Sequence, residues 1–140
     1  MVTDMKYTLN SRLERAMRLR EEGYNCSQCV AMVFDDIHGV NHDAITSLTA
    51  ALGGGLGGLQ LTCGAVAAMG MLRGATLYGS PADKAKTYSG VRPLCEEFER
   101  RNGSLICRDL KVKHKRPCNE LIADAITLLH EELEQSAGGT

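Results

Sequence analysis

The sequence predicts an all-α fold, a compact bundle-like domain of six or seven helices around a central helix rich in glycine and alanine. Residues that favour helices, such as Ala, Leu, Met, Glu, Lys and Arg, are frequent. Apolar residues recur with the helical period, and no segment alternates with the two-residue period of a strand. The chain has 140 residues, of which 44% are hydrophobic, so we expect a single domain over 1–140, ordered from about 8 to 135.

Three helices are predicted before a glycine-rich loop. Their expected bounds are about 11–22, 26–37 and 42–52. Ser11, Asn25 and Asn41 stand at their beginnings, where a side-chain oxygen can accept a hydrogen bond from the first turn. The loop GGGLGG, residues 53–58, matches the dinucleotide-binding pattern G-x-G-x-x-G literally. It follows a predicted helix and not a strand, so we interpret it as a tight turn between closely passing helices.

The second half of the chain predicts the central helix and three more helical segments. The central helix follows the loop with CGAVAAMGMLRGA, whose small residues let neighbouring helices approach closely. Residues 80–83 predict the start of the next helix, which Gly90 and Pro93 are expected to break or kink. A short helix is expected to carry Cys107, and the last helix covers about 117–135.

Charge and hydropathy exclude several classes of function. The net charge is −1, with 16 basic and 17 acidic residues, so nothing indicates binding to nucleic acid or to an anionic membrane. Residues 44–72 carry no charge, but their glycine cluster and polar side chains argue against a membrane span. The first ten residues contain no apolar stretch typical of a secretion signal, so we expect a cytoplasmic protein. In that compartment cysteines are more often reactive or metal-bound than paired in structural disulfides.

Cysteine placement is the most informative feature of the sequence. The six cysteines are Cys26, Cys29, Cys63, Cys95, Cys107 and Cys118. Four of them, Cys26, Cys63, Cys107 and Cys118, fall in the first turn of a predicted helix. A helix N-terminus offers unpaired N–H groups and about half a positive charge, both of which favour the thiolate. We therefore predict that these four thiols come together in one site, although they are far apart in sequence.

Several kinds of chemistry are open to such a set of thiols. Four thiolates from separate segments suit an iron–sulfur cluster or a structural zinc equally well. Cys26 and Cys29 form a CxxC at a helix start, as in dithiol redox sites, and Cys29 is a candidate exchange partner of Cys26 or Cys63. Cys95 is expected to pack in the core beside Phe98. The basic stretch KVKHKR, residues 111–116, could stabilise nearby thiolates or dock an acidic redox partner.

Four of the cysteines, together with the Gly-Ala pair that follows Cys63, form a pattern that can be compared with known families. The pattern consists of Cys26, Cys63-Gly64-Ala65, Cys107 and Cys118 with a closing amphipathic helix. It resembles the small family of redox-active proteins named after the pattern C_GCAxxG_C_C, and the resemblance extends from about Asn25 to Leu133. The chain departs from the family at Ala68, where the family has glycine, and Cys29 and Cys95 are additional to the family positions.

The resemblance implies redox activity through the four cysteines, by thiol–disulfide exchange or by binding an iron–sulfur cluster. It implies no particular reaction or substrate. The alternative is a structural zinc-binding or partner-binding helical module without redox chemistry. No acid–base pair or nucleophile–base pair in the sequence indicates an enzyme with a defined organic substrate. We also expect a homodimer, the commonest assembly of soluble domains, and a protein partner for electron transfer.

Overall fold

The computed structural model describes residues 5–138 of the chain. In this range it contains the helices α1 Leu9–Glu21, α2 Cys26–Met32, α3 Asp35–His38, α4 His42–Ala50, α5 Gly64–Leu77, α6 Lys84–Asn102 and α7 Cys118–Gly138. A 3₁₀ turn precedes α6, and a π-helical turn, Asp109–Lys113, lies between α6 and α7. Extended pairing in the described part of the chain is limited to one isolated bridge between Thr62 and Ile106. The predicted all-α class is confirmed.

Side-chain caps fix the beginnings of three helices. The Asn25 side chain accepts from the Gln28 amide at 3.0 Å, while the Gln28 side chain accepts from the Asn25 amide, which makes a reciprocal capping box for α2. Asn41 caps α4 as predicted. The prediction for α1 is wrong by one turn: its cap is Thr8, whose hydroxyl accepts from the Ser11 amide at 3.1 Å, so Ser11 lies inside the helix.

The predicted helix over 26–37 is interrupted, and a buried arginine explains the interruption. α2 ends at Met32, and α3 begins only at Asp35. Arg12 donates to the carbonyl of Val33 and, through both terminal nitrogens, to the Asp36 carboxylate at 2.8 Å. Its Nε donates to Nδ1 of His130 at 3.0 Å. The carbonyl of Val33 therefore has a guanidinium partner that an uninterrupted helix would not give it.

The predicted break in the helix after residue 80 is absent, because α6 continues through Gly90 and Pro93. A β-carbon on Gly90 would collide with the side chain of Leu77 at the end of α5. Gly90 thus serves close packing of two helices and does not end one.

Helix α5 lies at the centre of the fold, as predicted. It packs against α2, α3, α6 and α7, while α1 covers α2 and α7. Ala65, Ala68, Met69 and Leu72 of α5 are buried in the core. No helix within residues 5–138 has both the length and the apolar character needed to cross a membrane.

Candidate functional site

Each of the four predicted site cysteines lies where a helical segment begins. Cys26 and Cys118 are the first residues of α2 and α7, and Cys63 is the N-cap of α5. Cys107 is the first helical residue ahead of the π-helical turn. The predicted placement of the cysteines at helix starts is confirmed.

A short antiparallel pairing brings Cys63 and Cys107 together. On either side of the Thr62–Ile106 bridge, the Cys63 amide donates to the Leu105 carbonyl at 2.9 Å, and the Cys107 amide donates to the Leu61 carbonyl at 2.6 Å. Because side chains alternate along extended backbone, the residues next to a bridged pair share one face. Cys63 and Cys107 are therefore diagonal neighbours on the same side of this pairing.

Two glycines allow the backbone to approach these cysteines. A β-carbon on Gly64 would lie 2.6 Å from the Cys26 sulfur and 2.8 Å from the Leu52 carbonyl oxygen. Gly55 has a φ of +76°, and its β-carbon would lie 2.8 Å from that of Cys107. Any larger residue would push the glycine-rich loop or α5 away from the cysteines. The loop that matched a nucleotide-binding pattern is thus a packing element of this site.

The four cysteines line one cavity of about 310 Å³, here named the cysteine cavity. Its other lining residues are Arg20, Asn25, Gly54, Gly58, Gln60, Gly64, Lys111 and Leu121. The predicted convergence of Cys26, Cys63, Cys107 and Cys118 is therefore present, although more than 90 residues separate the first from the last. Two of the lining side chains are cationic, Arg20 and Lys111, and none is acidic.

Burial opposes the effect expected from the helix ends. The Cys63 side chain is almost fully buried, which raises the pKa of its thiol to about 11, although the amides of Ala65 and Val66 act in the lowering direction. Burial also raises the pKa of Cys107, against the lowering effect of Lys111. The expectation that a helix start favours the thiolate is wrong for these two residues, because loss of solvent outweighs the backbone amides at Cys63 and the Lys111 charge at Cys107.

Cys118 differs from the other three cavity cysteines in exposure and in its partner. It is half-buried, while Cys26, Cys63 and Cys107 are buried. The Lys111 ammonium donates a hydrogen bond to the Cys118 sulfur at 2.9 Å. A lysine ammonium at this distance stabilises negative charge on sulfur. The basic stretch 111–116 thus supplies a cation to one thiol, as the sequence suggested.

Cys29 and Cys95 lie outside the wall of the cysteine cavity. Cys29 is fully buried, its sulfur lies 3.6 Å from the Tyr24 carbonyl oxygen, and burial raises the pKa of its thiol to about 11. Its role as an exchange partner stays a prediction. Cys95 is half-buried on α6 and packs against the core, one helical turn before Phe98.

The present positions of the side chains do not fit a bound metal ion. Among the residues that the structure describes, no three His, Cys, Asp or Glu side chains are grouped closely enough to hold one. A tetrathiolate site needs sulfurs about 2.3 Å from the metal, hence within roughly 4 Å of one another. All six cysteines are free thiols.

Sequence reasoning missed Arg20, Asn25 and Gln60 as residues of the cavity. Arg20, in the last turn of α1, donates to Asn119 Oδ1 at 3.3 Å and to the Tyr24 carbonyl at 3.4 Å. The contact with Asn119 spans 99 residues, and no local pattern in the sequence predicts it.

The family model described as "Putative redox-active protein (C_GCAxxG_C_C)" matches residues 24–132. The chain belongs to this family. No curated protein and no solved structure matches it. At the departure from the family pattern, Ala68 is fully buried in α5, and the close approach of α5 to Cys26 occurs one turn earlier, at Gly64.

Proposed function

We propose that this member of the redox-active family acts by thiol–disulfide exchange in the cysteine cavity, with Cys118 as the attacking thiol and Cys107 as the resolving thiol. The observation that carries the proposal is the pairing of Cys118, the most exposed thiol of the cavity, with the Lys111 ammonium. Exchange requires a thiolate that a substrate can reach. Cys107 is assigned the second role because it lines the same cavity as Cys118, and because Lys111, the partner of the Cys118 sulfur, follows it by one helical turn.

The proposed reaction conserves atoms and electrons in two steps. The Cys118 thiolate attacks one sulfur of a substrate disulfide, forming a mixed disulfide and releasing one substrate thiolate. Cys107 then loses its proton to solvent and attacks the Cys118 sulfur, which releases the second substrate thiolate. The substrate gains two electrons, and the protein is left with a Cys107–Cys118 disulfide, which a dithiol reductant returns to the starting state.

Mass spectrometry of oxidised protein tests this assignment. Mild oxidation of the reduced protein is expected to give a Cys107–Cys118 disulfide in tryptic peptides. Cys107→Ser is expected to accumulate the mixed disulfide on Cys118, whereas Cys118→Ser should form none. Cys95→Ser is the matched control, because Cys95 lies outside the cavity. Failure of the reduced protein to form any reversible disulfide would contradict the proposal.

A second candidate function is coordination of an iron–sulfur cluster or a zinc ion by Cys26, Cys63, Cys107 and Cys118. It is favoured by the four thiols that line one cavity without any carboxylate. Binding would require the sulfurs to move closer together than they now lie. Anaerobic purification followed by assays of iron, sulfide and zinc distinguishes this candidate from exchange. Metal at one equivalent per chain, lost in the Cys63→Ser variant, would establish it.

A structural module without redox chemistry is the third candidate. It is favoured by the burial that raises the pKa of Cys29 and Cys63 to about 11. In that case the buried thiols should resist alkylation until the protein is denatured, and no reversible disulfide should form. Reversible formation of a Cys107–Cys118 disulfide would exclude this candidate.

Location and partners complete the proposal. A cytoplasmic location would keep the thiols reduced. For contact with a protein that supplies electrons we propose the exposed side chains near the cavity wall in sequence, which are Leu56, Leu59, Leu61 and Ile106. For contact with a second copy we propose the exposed side chains of Met71, Tyr78 and Tyr88. Light scattering at micromolar concentration, which measures mass directly, tests the homodimer.

A further inference from the structure

We propose that the substrate of the cysteine cavity is a low-molecular-mass disulfide that carries carboxylates. This inference rests on the exchange function proposed above and specifies its substrate class. Its basis is the composition of the cavity wall, in which two cations and several neutral polar groups surround four thiols without an acidic residue.

The size of the cysteine cavity fits a small-molecule substrate. The volume of about 310 Å³ lies at the lower end of the range for small-ligand sites, roughly 300–1,000 Å³. A disulfide with two short arms fits this range.

Charge determines the kind of arm that such a substrate carries. Arg20 donates its hydrogen bonds to a side-chain amide and a backbone carbonyl, both uncharged, so its positive charge is not neutralised by these partners. Lys111 points its ammonium at the Cys118 sulfur. A carboxylate on one arm would meet the Arg20 guanidinium, which suits bidentate recognition, while the disulfide lies at Cys118. An ammonium on the same arm would be repelled by both cations.

Three small disulfides that differ in charge test this inference. Dithiodipropionate is anionic, bis(2-hydroxyethyl) disulfide is neutral and cystamine is cationic. Oxidation of the reduced protein by each is followed by intact mass, and each rate is divided by the rate with free 2-mercaptoethanol to remove differences in intrinsic reactivity. We expect the normalised rate for dithiodipropionate to exceed that for cystamine by about tenfold at low salt, and the preference to shrink at high salt.

Arg20→Gln is the most informative variant. It removes a cation from the cavity wall and keeps Lys111, the partner of the Cys118 sulfur. It should reduce the preference for dithiodipropionate about threefold or more. Lys86→Gln, an exposed charge on α6 outside the cavity, should leave the preference unchanged. The salt dependence of the unmodified protein gives an independent measure if Arg20→Gln folds poorly.

The outcomes separate this inference from the function on which it rests. Equal normalised rates for the three disulfides, or a preference for cystamine, would overturn the anionic substrate while leaving exchange intact. No reaction with any of them would overturn the proposed exchange itself.

Discussion

Replacing Gly64 by alanine tests the packing that holds the site together. The added methyl group would lie 2.6 Å from the Cys26 sulfur and 2.8 Å from the carbonyl oxygen of Leu52. The sulfur can rotate away, but the carbonyl belongs to the backbone at the start of the glycine-rich loop, so α5 or the loop must shift. Overpacking of this kind costs about 1–3 kcal/mol. Alanine recovers at most about 1 kcal/mol through helix propensity, and less at the first residue of a helix.

Gly70→Ala on the same helix is the matched control. Its methyl group would lie 3.4 Å from one methyl of Val91, which a small movement of that side chain can accommodate. We therefore expect Gly64→Ala to lower the free energy of unfolding by about 1–2 kcal/mol and Gly70→Ala to raise it by about 0.5–1 kcal/mol.

Urea unfolding followed by circular dichroism measures this difference. A gap of about 2 kcal/mol corresponds to a separation of roughly 1 M between the two midpoints for a domain of this size. The same Gly64→Ala protein should alkylate faster at Cys26, because a displaced loop exposes that buried sulfur. Equal midpoints for the two variants would refute the idea that α5 approaches Cys26 too closely for a β-carbon.

Three further predictions concern charged groups. Lys111→Gln should slow alkylation of Cys118 about fivefold near pH 7, because the Cys118 sulfur loses its ammonium partner, whereas Lys113→Gln should leave the rate unchanged. Equal rates for the two variants, measured by peptide mass spectrometry, would disprove that Lys111 activates Cys118. Arg12→Met should lower the free energy of unfolding by about 3–5 kcal/mol, because it leaves the buried Asp36 carboxylate without its guanidinium partner. Arg15→Met, which removes a more exposed ion pair, should lower it by less than about 1 kcal/mol, and thermal unfolding compares the two variants. Burial and the Arg12 charge lower the pKa of His130, so the unfolded chain binds a proton more readily, and stability should fall as the pH drops below about 6.5. His130→Gln should reduce that fall. A decrease in melting temperature between about pH 7 and pH 5 that is as large as in the unmodified protein would contradict this prediction.

Local signals in the sequence were sufficient to predict the helical class and the position of most helix starts. Asn25 and Asn41 cap helices as expected, because a cap depends on residues three positions apart. The interruption after Met32 depends on Arg12, and the cavity wall depends on Arg20 contacting Asn119. These contacts join segments that are distant in sequence, so neither periodicity nor capping could predict them.

The raised pKa values of Cys63 and Cys107 could not be predicted from the sequence for a related reason. A cysteine at a helix start is recognisable from sequence, and so is the favourable dipole. Burial is a property of the assembled fold, and at Cys63 its effect on the pKa outweighs the hydrogen bonds from two backbone amides. The helix-start rule therefore locates the site without ranking its thiols.

The difference in burial among the four cavity cysteines gives a direction to the proposed exchange. A buried thiol whose pKa is raised to about 11, such as Cys63, is protonated near neutral pH and cannot readily attack a disulfide in solution. It can still attack a neighbouring disulfide inside the cavity, because close placement raises the rate even when only a small fraction of the thiol is ionised. The Cys107–Cys118 disulfide should therefore form first. Attack by Cys63 on its Cys107 sulfur would release Cys118 as a thiol, and attack by Cys26 on the Cys63 sulfur would then release Cys107. The half-buried cysteine beside Lys111 would control access, and the four cavity cysteines together would hold at most two disulfides.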